Sequence, residues 1–245
     1  MIFSPDLTVY KKTATEKEGK SMSYTLEIQD ISDVTHDVKR IRLPKPDGYQ
    51  FTPGQATEVA IDRDGWREEK RPFTFTSINS DPWLEFIIKV YPDHDGVTEQ
   101  IGALGKGDAL IIDDPWGAIN YKGEGTFLAG GAGVTPFISI LRDLHNKGEI
   151  GNNRLVFSNK TEQDIILREE FERMLGDQFV NVITEQQPSD DLMFLNGHID
   201  KDFLATHIKD VNQAFYVCGP EPFNNSIMDA LKQLGADPDS LVFEK

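Results

Sequence analysis

Thr126-Phe127-Leu128-Ala129-Gly130-Gly131-Ala132-Gly133-Val134-Thr135-Pro136 decides the fold of this 245-residue chain. Its first five residues form the short apolar run expected of a buried strand. Gly131-x-Gly133 supplies a tight turn, Thr135 suits a helix N-cap, and Pro136 suits the first helical position, where a missing N–H costs nothing. Phe137, Ile138, Ile140, Leu141 and Leu144 then give the apolar stripe of a helix. Strand, glycine turn and helix N-terminus make a seat for a pyrophosphate, because free N–H groups and the helix dipole converge there. A turn that holds no ligand explains the same residues, since a proline stands where the ordinary dinucleotide fingerprint has its third glycine.

The surrounding sequence alternates. Strands are expected at 126–130, 154–158, 179–184 and 214–218, and helices near 136–146, 167–175, 200–207 and 221–234. That order predicts a parallel, Rossmann-like sheet with crossover helices, which binds ligands at the carboxyl ends of its strands. Upstream the signals are short strands with turns: Tyr24–Ile31, Val38–Leu43, Ala56–Ile61, Phe73–Ile78, Leu84–Val90 and Asp108–Ile112, plus one short helix at Val97–Leu104. Six such strands predict a closed antiparallel Greek-key β-barrel, since closure removes exposed edges. The expected organisation is an N-terminal extension (1–22), a barrel domain (23–122) and an α/β domain (123–245).

The extension is charged and without apolar period, apart from a short candidate strand at Leu7–Tyr10, and Met22 is a candidate start. Its Ala14-x-x-x-x-Gly19-Lys20-Ser21 matches a relaxed phosphate loop. Such a loop needs a helix after it, and Tyr24–Ile28 alternates like a strand instead.

A net charge of −16 argues against a nucleic-acid partner. One cysteine excludes an internal disulfide and points to a reducing compartment. No apolar run approaches the roughly 18–20 residues of a membrane helix, and no signal-peptide core opens the chain, so a cytoplasmic monomer is expected. The five histidines show no metal-ligand spacing, so neither a metal nor an iron–sulfur cluster is expected.

Arg71-Pro72-Phe73-Thr74-Phe75-Thr76-Ser77 places a cation, an aromatic ring and hydroxyls on one strand. Alternation sends Phe73 and Phe75 to one face and Thr74 and Thr76 to the other. Taken by itself, the segment is better accounted for by an ordinary barrel strand capped by a surface arginine. Together with Ile87-Ile88-Lys89-Val90-Tyr91, Gly96-Val97-Thr98, Asp113-Asp114-Pro115-Trp116-Gly117, Gly131-x-Gly133-x-Thr135-Pro136 and Val217-Cys218-Gly219-Pro220-Glu221-Pro222, however, this segment resembles the ferredoxin–NADP⁺ reductase superfamily. The resemblance covers about 23–245, with the motifs in the family's order.

The resemblance implies an FAD-dependent NAD(P)H oxidoreductase that passes electrons to a flavodoxin- or ferredoxin-type carrier. Arg71 would pair with the flavin phosphate, Pro72 and Phe73 would lie along the flavin, and Thr74 would face flavin N5. Phe73 departs from the family's tyrosine, but stacking needs only the ring. Backbone at Ile88, Lys89 and Val90, with Gly96, Val97 and Thr98, would hold the flavin's polar tail. Gly131, Gly133, Thr135 and Pro136 would take the nucleotide phosphates. Ser158 and Lys160 would meet the adenosine ribose, where a basic residue favours NADP(H) over NAD(H), the other candidate. Cys218, Gly219 and Pro220 would lie beside the nicotinamide, with Cys218 orienting the ring. Glu244 is a weaker catalytic candidate.

An acidic carrier would need a basic patch, for which Lys39, Arg40, Arg42, Arg63, Arg67, Lys70 and Lys89 are available. The same scaffold also serves ferric or flavin reductases, reductase components of oxygenases, and non-enzymatic electron-transfer or regulatory subunits.

Overall fold

The computed structural model describes residues 22–92, 95–117, 119–185, 194–237 and 241–243. The Leu7–Tyr10 strand, the relaxed phosphate-loop pattern and Glu244 lie outside the described residues.

The first half contains strands β1 (Tyr24–Glu27), β2 (Asp30–Thr35), β3 (Val38–Pro44), β4 (Ala56–Ile61), β5 (Arg71–Thr74), β6 (Trp83–Lys89) and β7 (Ala109–Ile112), with the short helix α1 (Val97–Gly102). They form two antiparallel sheets, ordered β1-β7-β4-β5 and β2-β3-β6. The expected strand Tyr24–Ile31 is split because the chain changes sheets within it. The Ile28 N–H donates to the Asp108 carbonyl at 2.7 Å, while the next N–H, of Gln29, donates to Arg42 at 2.9 Å. The same switch occurs after β5, where Phe75 N–H donates to Gln55 at 3.1 Å and Thr76 N–H to Glu85 at 2.8 Å. These two crossings join the sheet edges into a barrel whose backbone edges are largely paired. Leu26, Ile41, Val59, Phe75, Phe86 and Leu110 fill it. The Phe75 ring stacks on Phe51 at 4.4 Å and tilts against Phe86 at 5.2 Å.

The second half runs β8 (Gly125–Gly130), α2 (Thr135–Lys147), β9 (Arg154–Asn159), α3 (Arg168–Leu175), β10 (Phe179–Ile183), β11 (Phe194–Asn196), α4 (Lys201–His207), β12 (Ala214–Cys218), α5 (Glu221–Gln233) and β13 (Leu241–Phe243). Six parallel strands stand in the order β11-β10-β9-β8-β12-β13. β11 and β13 add to the four expected strands; at three residues each they are too short to show a period. Sheet residues Phe127 and Phe157 pack with Phe137 of α2 and Phe171 of α3, while Leu128, Val156 and Val182 pack with Leu204 of α4 and Ile227 of α5. Strand order reverses between β8 and β12, which opens a crevice at their carboxyl ends.

Thr135 is not the N-cap of α2. One turn of 3₁₀ helix, Gly131–Val134, is inserted after β8, and Thr135 already has helical dihedrals of φ −58° and ψ −42°. Its hydroxyl donates back to the Ala132 carbonyl at 3.0 Å. Pro136 is therefore the second helical residue, still within the turn whose N–H groups have no intrahelical partner.

The halves are joined by apolar and polar contacts. Val38 and Ile87 of the barrel belong to the same buried cluster as Phe137, Ile138 and Leu141 of α2. The Gly54 N–H donates to Ser139 Oγ at 3.0 Å. Arg142 of α2 donates to Glu85 Oε1 of β6 at 2.6 Å and to the Thr76 carbonyl at 2.7 Å, and forks onto both carboxylate oxygens of Glu170. Arg42 completes the network by donating to Glu85 Oε2 at 2.9 Å.

Candidate functional site: a dinucleotide cavity beside the barrel

The β8–α2 and β12–α5 turns are pressed together at the switch point. Gly131 has φ +52°, in the left-handed region that glycine tolerates best. A Cβ on Gly133 would run into the carbonyl of Cys218 and lie 2.6 Å from the Gly219 Cα, so only glycine lets the two turns meet. A Cβ on Gly219 would lie 2.5 Å from the Phe223 ring, which closes the junction from α5.

A cavity of about 630 Å³ opens there. Gly131, Gly133 and Thr135 line it from the first turn, Ser158 and Lys160 from the end of β9, and Cys218, Gly219 and Pro220 from the end of β12. Three separate stretches of sequence are thus brought to one site. Pro136 is buried behind it rather than lining it. Cys218 is buried, 4% exposed, with its residue at the cavity wall.

The barrel supplies part of the wall through Val38, Lys89 and Tyr91. Lys89 was expected to act through its backbone, whereas its residue faces the nucleotide cavity and its ammonium pairs with Asp37 at 2.7 Å. Burial alone would raise the Asp37 carboxyl. Hydrogen bonds from Lys89 and Thr35, with the Lys89 charge, hold it below the ordinary value. His36 stands between the domains, 3.8 Å from a carboxylate oxygen of Asp37 and 3.8 Å from one of Asp164. Asp164 in turn accepts from the N–H and hydroxyl of Thr161, both at 2.8 Å.

Asn159, Asp164, Thr184 and Phe223 also line the cavity. None was singled out from sequence. Asn159 is 5% exposed, and neither its carboxamide oxygen nor its nitrogen has a partner among the described residues. A buried amide left unpaired is expensive, so its position on this wall suits a polar ligand. Its only sequence signal is its place at the end of a strand between Ser158 and Lys160. Lys160 is not a lone cation, because its ammonium lies 3.1 Å from the carboxylate of Glu185.

Apart from Lys89, the residues expected at the flavin lie outside these walls. β5 is an edge strand of its sheet, with Arg71 and Pro72 exposed. The Arg71 guanidinium donates to the Lys70 carbonyl at 2.7 Å and stands 3.9 Å from Glu69. Phe73 is half-buried and packs on the barrel core with Phe75, as alternation requires, while Thr74 is buried on the other face. Ile88 is buried and Val90 half-buried, and the Val90 N–H is already given to the Asp37 carbonyl at 2.8 Å. Gly96 caps α1 with extended backbone and without a side-chain cap, leaving the first amides, at Val97 and Thr98, without helical partners. An exposed arginine on an open strand edge and an uncapped helix start fit a diphosphate-bearing flavin.

Known proteins share this fold. Residues 127–229 match the family described as the oxidoreductase NAD-binding domain. The chain is 29% identical to the reductase component of propane 2-monooxygenase from Rhodococcus jostii (strain RHA1) over 231 residues, which is 88% of this chain and 61% of that protein. It is 28% identical to NADH-cytochrome b5 reductase 2 of Mycosarcoma maydis over 223 residues, covering 83% of this chain and 63% of that one. The chain thus spans less than two thirds of the length of these two relatives. Among solved structures, a ferredoxin NADP⁺ reductase from Neisseria gonorrhoeae with bound FAD and NADP superimposes with a TM-score of 0.79 at 17% identity, over 91% of this chain and 98% of that one. The cytochrome b5 reductase domain of Ulva prolifera nitrate reductase gives 0.75 at 20% identity, over 93% and 98%. The chain has the two-domain fold of these ferredoxin NADP⁺ reductase and cytochrome b5 reductase structures, and residues 127–229 of its second half are similar to the oxidoreductase NAD-binding domain.

Proposed function

We propose that this chain is an FAD-dependent NAD(P)H oxidoreductase that serves a separate one-electron acceptor. The observation that carries the reading is the convergence of Gly131–Thr135, Asn159–Lys160 and Cys218–Pro220 on one cavity that also borders the barrel through Lys89. FAD, when bound, supplies acceptance of hydride and release of single electrons.

The chain's own residues bind and align. The Gly131–Val134 turn and the start of α2 present N–H groups to a pyrophosphate. Asn159 gives the adenosine half a buried polar partner. Cys218, held at the carboxyl end of β12, orients the nicotinamide without attacking anything. Arg71 takes the flavin phosphate, a role its planar fork of donors suits, aided by the open amides at Val97 and Thr98. Phe73 and Thr74 present a ring and a hydroxyl to the flavin. Lys160 by itself favours NADP(H), whereas Glu185 at 3.1 Å opposes a 2′-phosphate.

A flavodoxin or ferredoxin is one acceptor class. Its docking would draw on the barrel's basic side chains, yet Lys39, Arg42, Arg63, Arg67, Lys70 and Lys89 each have a carboxylate within 3.6 Å. That neutralisation favours a second reading, in which the acceptor is a less acidic protein such as an oxygenase component. The Rhodococcus relative is the reductase component of such an oxygenase.

Anaerobic titration of the yellow holoprotein with NADPH and with NADH tests the core of the proposal, and bleaching by at least one is expected. A protein that stays colourless when FAD is added overturns it. A panel of flavodoxin, ferredoxin, cytochrome b5 and oxygenase acceptors, run at low and high salt, separates the two acceptor readings.

A further inference from the structure

The end of β9 carries one positive charge, Lys160, at the place where this fold meets the adenosine ribose. The structure sets a negative charge against it. Glu185 follows β10 and holds its carboxylate 3.1 Å from the Lys160 ammonium. Backbone bonds fix the two segments side by side: the Thr184 N–H donates to the Asn159 carbonyl and the Glu185 N–H to the Lys160 carbonyl, each at 3.0 Å. The β9–β10 pairing therefore continues past both strands and sets the charges opposite each other. The neutral members of the same wall, Ser158, Asn159 and Thr184, offer hydroxyl and amide groups.

We infer that Glu185 is a specificity-determining residue of this site, cancelling Lys160 and repelling a 2′-phosphate so that the nucleotide with a free 2′-hydroxyl is preferred. The inference rests on the reading of the cavity as a nicotinamide-nucleotide site. The pair is exposed, with 71% and 58% of the two side chains accessible, so its own strength is small. What discriminates is the net charge beside the ligand. With Glu185 ionised the charges of this pair sum to zero, and without it Lys160 meets a phosphate carrying nearly two negative charges with no Glu185 carboxylate against it.

The test uses the holoenzyme in wild-type, Glu185→Gln and Glu185→Gln/Lys160→Gln forms. The ratio of kcat/KM for NADPH to that for NADH is expected to favour NADH in the wild type and to rise about tenfold in Glu185→Gln. Calorimetric titration with 2′,5′-ADP and 5′-ADP supplies a readout independent of turnover. Affinity for 2′,5′-ADP should rise with the ratio, the gain should shrink at high salt, and the double variant should lose it. A Glu185→Gln ratio within about twofold of wild type, with 5′-ADP still bound, overturns the inference and leaves the cavity assignment standing. Failure of both adenosine nucleotides to bind overturns the two together.

Discussion

On one side of the boundary between barrel and sheet, Arg142 and Glu170 close on Glu85, Thr76 and Arg42 with bonds of 2.5–2.9 Å, and Glu85 is 1% exposed. On the other side, the same two domains border a cavity of about 630 Å³, and the exposed His36 stands 3.8 Å from the carboxylates of Asp37 and Asp164. One face is tied across the boundary by buried, directional charge, with a second cavity of about 690 Å³ bordered by that same network, and the other is spanned by the cavity that the glycine turns line. Hydride transfer needs two rings held to within a fraction of an ångström. A site shared by two domains meets that need if one face fixes their relative pose and the opposite face keeps the space.

The largest effect should come from breaking the tied face. Arg142→Met leaves Glu85 and Glu170 without their common partner, and a broken buried pair costs about 3–5 kcal/mol. Denaturant unfolding of the holoprotein should show a loss of that size; a loss under about 1 kcal/mol would mean the network is no stronger than a surface pair. Glu85 also gives this face a pH signature. Burial pushes its carboxyl up, but the Arg142 charge and bonds from Arg142, Arg42 and Thr76 bring it below its ordinary 4.5. A carboxyl depressed in the folded state stabilises above its unfolded value, and that stability is lost as pH falls through the folded value. Wild-type stability should therefore decline below about pH 4.5 more steeply than that of Glu85→Gln, and parallel acid limbs would contradict the assignment.

On the glycine-turn face, Gly133→Ala should come next in size. The new Cβ meets the Cys218 carbonyl and the Gly219 Cα, so the two turns must separate. Misplacement of about 1 Å at a reacting geometry costs roughly 100-fold, and NAD(P)H-dependent flavin reduction should fall by that order while FAD content is retained. Cys218→Ala removes only a side chain from the wall and should slow flavin reduction in stopped flow about tenfold, with little change in FAD retention. An unchanged rate would leave Cys218 as packing alone.

Much of this division was legible in sequence, for local reasons. The apolar run 126–130, the glycines after it and the apolar stripe of α2 are each specified by neighbouring residues, and so is the alternation that turns Phe73 and Phe75 to the barrel core. The break of the first strand at Ile28 was not legible, because it depends on which distant carbonyl, that of Asp108 or that of Arg42, each N–H meets. Thr135 was misread as a cap because a 3₁₀ turn of small residues, Gly131–Val134, has no periodic signal of its own. The partner of Lys160 was not legible either, since Glu185 comes beside it only through the pairing of β9 with β10. Asn159 and the network around Arg142 were missed on the same ground: burial and partners are properties of the assembled sheet.

The smallest predicted effect tests how firmly the glycine-turn face is held across the boundary. His36 is 61% exposed and 3.8 Å from the carboxylates of Asp37 and Asp164, which already have Lys89 and Thr161 as closer partners. At that separation in water the attraction between full charges is about 1 kcal/mol, and exposed pairs usually retain less. His36→Gln should therefore change unfolding free energy by no more than about 0.5 kcal/mol, against several for Arg142→Met. A loss matching that of Arg142→Met would show that the domains are clamped on both faces. The cavity would then have to admit its nucleotide without any help from movement at the His36–Asp164 contact.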